Sequence, residues 1–511
     1  MKLNTRNQKT AYNATVGIIS QVLVIFFNFI SRTIFIHFLS SEYLGLNGLF
    51  ANVLTILSFS ELGIGEAMVY AMYKPMKNKN REKISALMNY YQKAYYIIAI
   101  IVGIIGFILS FFIENIISGK PNIPENLQFL FLLYLMNTVV SYLLSYKKSI
   151  LFVDLKRYIV LYIQMIFTVI QIIFQFIVLY FYKNFALYYF IQIISTLGIN
   201  LIVSFYVNKN YSWINNKNAT LEKKDKDEIS KNVKSLAVTK MAGVIGSGTD
   251  NIIASNILGL KIVGLASNYT LIINAINGLL WSLLSGIVNS IGDFNVNSTI
   301  DERRRIFDQL YLMSFIIFSI CGSCIIALIN PFIEVWIGKE YVISVWVAFA
   351  LVLSIFIGGL NFSAYSFRIS LGFFKQVKVF YIAYPLLNIF LSIIMGKECG
   401  ITGIFLATSI SRLLTAEIGD GYFVYKYGLN RRPINYFFMD FIYINIFLGL
   451  SLFLYFFVNL IPLVGIIGLI IKSICCFLLS IIIVLIISSR VQSFNSLKKR
   501  LFSLIVKENR V

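Results

Sequence analysis

Apolar residues run through this chain in long blocks, each separated from the next by a short polar break. Ala14 to Leu39 and Tyr158 to Tyr182 are typical. Each holds the roughly 20 mostly apolar residues needed to cross about 30 Å of hydrocarbon. The pattern predicts helices at 14–38, 45–72, 87–113, 126–146, 158–182, 186–208, 234–257, 263–290, 309–330, 343–371, 379–396, 400–425, 436–458 and 463–488. The fold class is therefore an all-α polytopic membrane protein with about 14 transmembrane helices.

Charge in the connections sets the orientation. The N-terminus, 73–86, 147–157, 209–234, 291–308, 372–378, 426–435 and the C-terminal tail together hold 33 Lys and Arg. The alternate connections hold five: Lys120, Lys183, Lys261, Lys339 and Lys397. Positive charge accumulates on the cytoplasmic side, so both termini are expected there; the Ile-, Asn- and Lys-rich composition suggests an A+T-rich bacterial genome and hence a bacterial plasma (inner) membrane. An odd number of helices would mix the two sets. The outer connections are short, which leaves no outer domain.

Composition agrees with this reading and removes several functions. Of 511 residues, 58% are hydrophobic and 13% charged, with a mean hydropathy of +0.79. That is about half the charge of a soluble chain. The net charge of +21 is spread over short loops rather than one folded basic surface, so nucleic acid is not expected as a partner. The only histidine is His37, and four of the five cysteines fall in apolar blocks. No metal and no cofactor are expected. The N-terminus is polar before a full-length span, so no cleavable signal peptide is expected.

The largest cytoplasmic connection contains Glu222-Lys-Lys-Asp-Lys-Asp-Glu228, a composition that suits a mobile linker. It divides the chain into an N-lobe of six helices (1–208), a linker (209–233), a C-lobe of six helices (234–425) and a final part (426–511) with two helices and the tail. The lobes repeat at an offset of 219 residues. Leu39, Gly45, Leu46 and Phe50 map to Leu258, Gly264, Leu265 and Tyr269, and Gln21, Asn28 and Arg32 map to Lys240, Ser247 and Asn251. Spacings of seven and four put each polar trio on one helix face, within about 20°. An even number of helices per lobe makes the repeat parallel. Transporters built this way bind substrate between the halves.

Arg32, Glu61, Lys240, Asp250 and Arg412 lie deep in predicted spans. Each would cost about 2.5–3.5 kcal/mol facing lipid, so they are expected to face a wet cavity or one another. Arg32 stands out, because it shares its stripe with Asn28 and Gln21. A structural pair with Glu61 is the plainer alternative. Lys240 can also snorkel to the cytoplasmic surface. Asp250 and Glu61 are candidates for ion pairing or for taking up a coupling cation. Glu66, Lys93, Arg368, Glu417 and Asp420 lie nearer the cytoplasmic interface, where solvation is expected. Asn274, Asn277, Trp281 and Ser285 share one face of the eighth helix, suited to sugar contacts or to interhelical hydrogen bonds.

The order of several short segments resembles the Wzx-type polysaccharide flippases of the multidrug/oligosaccharidyl-lipid/polysaccharide exporter superfamily. They are Leu44-Gly-Leu-Asn-Gly-Leu-Phe50, Glu61-Leu-Gly-Ile-Gly65, Lys147-Lys148 to Asp154-Leu-Lys-Arg-Tyr158, Asp250-Asn-Ile-Ile with Leu258-Gly and Val263-Gly, and Gly400-Ile-Thr-Gly403. The resemblance covers nearly the whole chain. It implies two six-helix lobes around an inner cavity and two extra C-terminal helices. It also implies a flippase, not an enzyme, that carries a polyprenyl-diphosphate-linked oligosaccharide outward for capsule, exopolysaccharide or O-antigen-type polymers. The implied partners are that lipid-linked oligosaccharide, membrane lipids, and the polymerase and glycosyltransferases of the same pathway. Related flippases use cations in the central cavity, a role that Arg32 matches and that Lys240 and Arg412 match less closely.

Simple physics is compatible with that implication. An arginine's fork of donors fits phosphate oxygens. Moving about two negative charges outward gains roughly 4–5 kcal/mol at 100 mV, inside negative. No ATP-binding loop of the Gly-x-x-x-x-Gly-Lys-Ser/Thr type occurs. The nearest alternative is a cation-coupled multidrug antiporter of the same superfamily, for which an acidic cavity is expected; here the deep charges lean basic. A membrane glycosyltransferase, polymerase or ligase needs a larger outer catalytic surface. A scaffold gains nothing from deep charges.

Overall fold

A computed structural model describes residues 6–61, 64–119, 121–216, 218–496 and 498. Side chains at 6–11, 14, 18, 59, 60, 232, 234–243, 247, 283 and 285–297 lie outside the description. Among the described residues every regular element is helical. In chain order these are α1 (Arg6–Phe38), α2 (Ser41–Leu57), α3 (Ile64–Lys77), α4 (Arg81–Ser110), α5 (Leu127–Tyr142), α6 (Lys148–Val153), α7 (Arg157–Tyr182), α8 (Phe185–Asn210) and α9 (Lys223–Gly248). There follow α10 (Asp250–Leu258), α11 (Leu260–Asn297), α12 (Ile300–Ile337), α13 (Val345–Leu360), α14 (Phe362–Leu371), α15 (Phe374–Arg412), α16 (Ile418–Phe423), α17 (Pro433–Asn459) and α18 (Gly465–Ser489).

Local chemistry fixes many of the starts. Asn80, Asn126 and Asn184 cap α4, α5 and α8 by accepting from the backbone N–H of Lys83, Phe129 and Leu187. Thr299 and Glu302 cap α12 reciprocally.

Ten helices among the described residues are long and apolar enough to cross a membrane, and a bent pair, α13 with α14, makes eleven. The three further predicted spans are hidden by breaks. The span at 45–72 is interrupted by a tight turn at Ser58–Glu61, between α2 and α3. The span at 234–257 breaks between α9 and α10. The third is folded into the apolar run Phe374–Gly428, whose 55 residues would extend about 80 Å if straight, far beyond one bilayer. That run turns back at Gly400, whose φ of 61° and ψ of −147° are open to glycine and barred to L-residues. The Asn388 side chain donates to Thr408 Oγ1 (2.9 Å) across the resulting hairpin. The charged run at Glu222–Glu228, read as a linker, is instead helical from Lys223. Asp225 in its first turn suits the positive end of the helix dipole.

The chain forms two compact units, Met1–Gly264 and Leu265–Val511. In the first, α1 packs on α7, α7 on α8, and α5 on both α4 and α8. Its core is built on Leu46, Leu49, Phe50, Phe131 and Phe185, all fully buried. In the second, α12 is the hub, touching α13, α17 and α18. The rings of Phe356 and Phe447 stack at 4.0 Å, and those of Phe315 and Tyr443 at 4.1 Å. The last two helices therefore share the core of the second unit. Outer faces stay apolar: Ile97, Ile100, Ile101, Ile104, Phe107 and Ile108 of α4 are all exposed. In water such a stripe is a liability; in a bilayer it is the lipid-facing side.

Two segments that align at the 219-residue offset meet within the first unit. A Cβ on Gly45 would collide with the Leu260 carbonyl oxygen, and a Cβ on Gly264 would collide with the Ser41 carbonyl oxygen. Gly45 is the repeat mate of Gly264, and Ser41 is the repeat mate of Leu260. The contact is thus reciprocal: each glycine admits the backbone that corresponds to its own neighbour in the other copy. Small residues allow this close approach of helix backbones.

Candidate functional site

Three residues of the predicted stripe lie along α1. Gln21 and Arg32 are half-buried and Asn28 is exposed. Tyr134 of α5 and Tyr188 of α8 lie within electrostatic reach of the Arg32 guanidinium. Around them the hydroxyls are ordered. Tyr134 donates to Asn47 Oδ1 (2.9 Å), the Ser31 and Tyr188 hydroxyls meet at 3.4 Å, and the Tyr134 ring stacks on Tyr189 at 3.7 Å. Arg32 thus has tyrosines of two other helices within electrostatic reach. A planar cation within reach of tyrosine hydroxyls offers donors to phosphate oxygens, and the stacked tyrosines offer ring surfaces to sugars. The tyrosines were not singled out in the sequence, because 31 of them are scattered through the chain and most resemble interface residues.

Glu61 ends the tight turn that breaks the second predicted span. Its carboxylate accepts from the Tyr95 hydroxyl of α4 (2.7 Å), which in turn accepts from Tyr91 (3.1 Å). Asp250 opens α10 and is buried, 8% exposed. The side chains of Lys240 and Ser285 lie outside the described residues.

The second unit holds a buried ionic network that sequence reasoning placed in solvent. Arg368, Glu417 and Asp420 are 3%, 3% and 0% exposed. Arg368 Nε lies 2.8 Å from Asp420 Oδ1. The other Asp420 oxygen accepts from Tyr381 (2.9 Å) and Asn361 (3.1 Å). The Arg368 guanidinium also lies over the rings of Tyr381 (4.8 Å) and Tyr365 (5.1 Å). Arg412 donates from Nε to Glu417 Oε1 at 3.0 Å. A wide π-helical turn, Leu413–Glu417, separates the partners; such turns are common at functional sites. Hydropathy gives depth along a span, whereas burial here comes from neighbouring helices.

Two positions show how the site is accommodated. A Cβ on Gly358 would lie 2.7 Å from three atoms of the Arg412 guanidinium. We expect Gly358→Ala to displace that head group and loosen its pairing with Glu417, costing about 1–3 kcal/mol as overpacking. A thermal unfolding shift of under 1 °C would count against this. Lys147, predicted as a loop charge, is 7% exposed and donates to Ser204 (3.0 Å) and Asn208 (2.8 Å). It ties a connection to α8 rather than greeting solvent.

The proposed sugar face on α11 is divided. Asn274 is exposed. Asn277 lines a small apolar cleft with Leu280, Phe318 and Phe356, its amide oxygen buried and unpaired. Trp281 packs edge-on against Phe362 (5.7 Å) and Tyr365 (6.2 Å).

No family model and no curated protein matches this chain. Solved structures do. An inward-facing multidrug resistance MATE family transporter of the MOP superfamily matches with a TM-score of 0.64 at 12% identity, over 79% of this chain and 96% of that one. Lipid II flippase MurJ, in an inward closed conformation, matches with a TM-score of 0.64 at 15% identity, over 94% of this chain and all of that one. A MOP superfamily transporter from Pyrococcus furiosus, described as having a binding pocket of reverse polarity, matches with a TM-score of 0.52 at 10% identity, over 81% and 94%. The chain is an all-α, multi-pass membrane protein with the fold that these transporters share.

Proposed function

We propose that this protein is a flippase that moves a polyprenyl-diphosphate-linked oligosaccharide from the cytoplasmic to the outer face of the plasma membrane by alternating access. The observation that carries the reading is Arg32 on the polar stripe of α1, with Tyr134 and Tyr188 within electrostatic reach. In this reading the guanidinium takes the diphosphate, Asn28 and Gln21 extend the polar track, and the tyrosines take sugar faces. Lys240 and Arg412 are further cationic contacts, Glu61 and Asp250 the coupling or pairing groups, and Asn274, Asn277, Trp281 and Ser285 the remaining sugar contacts. The polyprenyl tail stays in lipid throughout. Support also comes from the extent of the likeness to the lipid II flippase, which runs over 94% of this chain.

The MATE likeness has the same TM-score and favours a second reading, a cation-coupled multidrug antiporter. It leaves about a fifth of the chain unmatched, a remainder large enough to include α17, α18 and the tail.

Deleting the protein should accumulate a lipid-linked oligosaccharide on the cytoplasmic leaflet. Arg32→Ala, at equal expression, should lower its transfer at least tenfold, about 1.4 kcal/mol or more of lost stabilisation. Arg32→Lys should recover only part, because an ammonium lacks the planar fork. Wild-type export by Arg32→Ala would refute the assignment. Drug sensitivity on deletion without any accumulated lipid would favour the antiporter.

A further inference from the structure

Asp440 lies on α17, seven residues beyond Pro433 and about 10 Å along the helix from its start. It is 9% exposed. Four ionisable groups of the same unit form two matched pairs, Arg368 with Asp420 and Arg412 with Glu417. Closer to the loops, Asp308 forms a two-pronged pair with Arg431 (2.6 and 2.8 Å). Asp440 is the odd carboxyl: no ion pair to it occurs among the described residues.

Its surroundings are hydroxyls rather than cations. Tyr311 of α12 donates to Asp440 Oδ1. Tyr436, one turn earlier on α17, faces the carboxyl group. Tyr436 is fully buried, and apart from that carboxyl group its hydroxyl has no hydrogen-bond partner among the described residues. Glu417 and Tyr425 are the other titratable groups within electrostatic reach. A bare carboxylate here would stand near a second carboxylate, away from water, with no counter-charge. Such a group neutralises rather than remaining charged. A metal cation would do the same, but no cluster of three or more acidic, histidine or cysteine side chains that could hold one exists among the described residues.

We propose that Asp440 is a proton-binding site of this protein. The proton sits on the carboxyl oxygen that Tyr311 leaves free and is donated to the Tyr436 hydroxyl oxygen, which gives that buried oxygen its partner. Oδ1 continues to accept from Tyr311. Release of the proton creates a buried negative charge next to Glu417, so occupancy of Asp440 and the strength of the Arg412–Glu417 pair are linked. This site lies on α17, and it does not rest on the identity of the transported substrate.

The test reads the purified full-length protein in lipid nanodiscs by infrared difference spectroscopy across a pH titration. A buried protonated carboxyl gives a carbonyl stretch absent from carboxylates. The band is expected in the wild type at neutral pH, lost in Asp440→Asn and kept in Asp308→Asn, whose carboxylate already has its arginine. The amide still accepts from Tyr311, so Asp440→Asn should remain folded. If a variant fails to fold, the wild type alone decides: absence of the band at neutral pH overturns the proposal. So does a band that persists in Asp440→Asn, or one that Asp308→Asn also removes.

Discussion

Asp420→Asn should cost about 3–5 kcal/mol of stability, because it leaves the Arg368 guanidinium buried without its carboxylate. Both side chains are almost wholly inaccessible, at 4% and 0% exposure. No water can replace the lost partner. Tyr381 and Asn361 keep their places but cannot neutralise a cation. Removing both charges, with Arg368→Met added to Asp420→Leu, should recover most of the loss, since the desolvation of two ions is then also removed. The breakage of Arg412–Glu417 should cost less, because the Arg412 side chain is one-third exposed and so less enclosed than Arg368. Unfolding of the purified protein followed by tryptophan fluorescence, with the single and double variants forming a cycle, measures these differences. A single-variant loss below 1 kcal/mol, or a double variant no better than the singles, would show that the pair is not what holds this region.

Gly45→Ala should be nearly as damaging, for a different reason. The new methyl group meets the backbone carbonyl of Leu260, which cannot swing aside as a flexible side chain can. Two helices must separate, at a cost of about 3 kcal/mol, the upper end of ordinary overpacking. Gly264→Ala should give a similar loss by meeting the Ser41 carbonyl. Combining the two should cost distinctly less than their sum, because the first substitution has already parted the backbones that the second would part. Gly17 and Gly449 have open space where a Cβ would go and serve as controls. Equal tolerance of alanine at Gly45 and Gly449 would rule out the tight contact.

Most of the fold can be read from the chain, because hydrocarbon thickness imposes one length on every span. Even the spans that the structure breaks announce themselves: Glu61-Leu-Gly-Ile-Gly65 marks the interruption between α2 and α3, and Gly400 marks the hairpin in α15. The site is less legible. Arg32 and its stripe follow from helical periodicity on a single segment. The tyrosines around it come from α5 and α8, and no local pattern links positions 32, 134 and 188. Arg368, Glu417 and Asp420 are harder to place, because nearness to a span end suggests water, while packing between helices buries them. Asp440 lies in an apolar block like any other, and only the matched pairs around it make it the odd charge. The Glu222–Glu228 run misled differently: alternating charge reads as a solvated linker, yet it also satisfies a helix N-terminus.

The reciprocal glycine contact limits how this chain can change. Residues 41–45 and 260–264 meet backbone to backbone, each glycine leaving the notch that the other segment's carbonyl fills. A side chain can enter at Gly45 only if the Leu260 backbone moves, and at Gly264 only if the Ser41 backbone moves. Neither segment can therefore vary independently of the other, although they lie far apart in the chain.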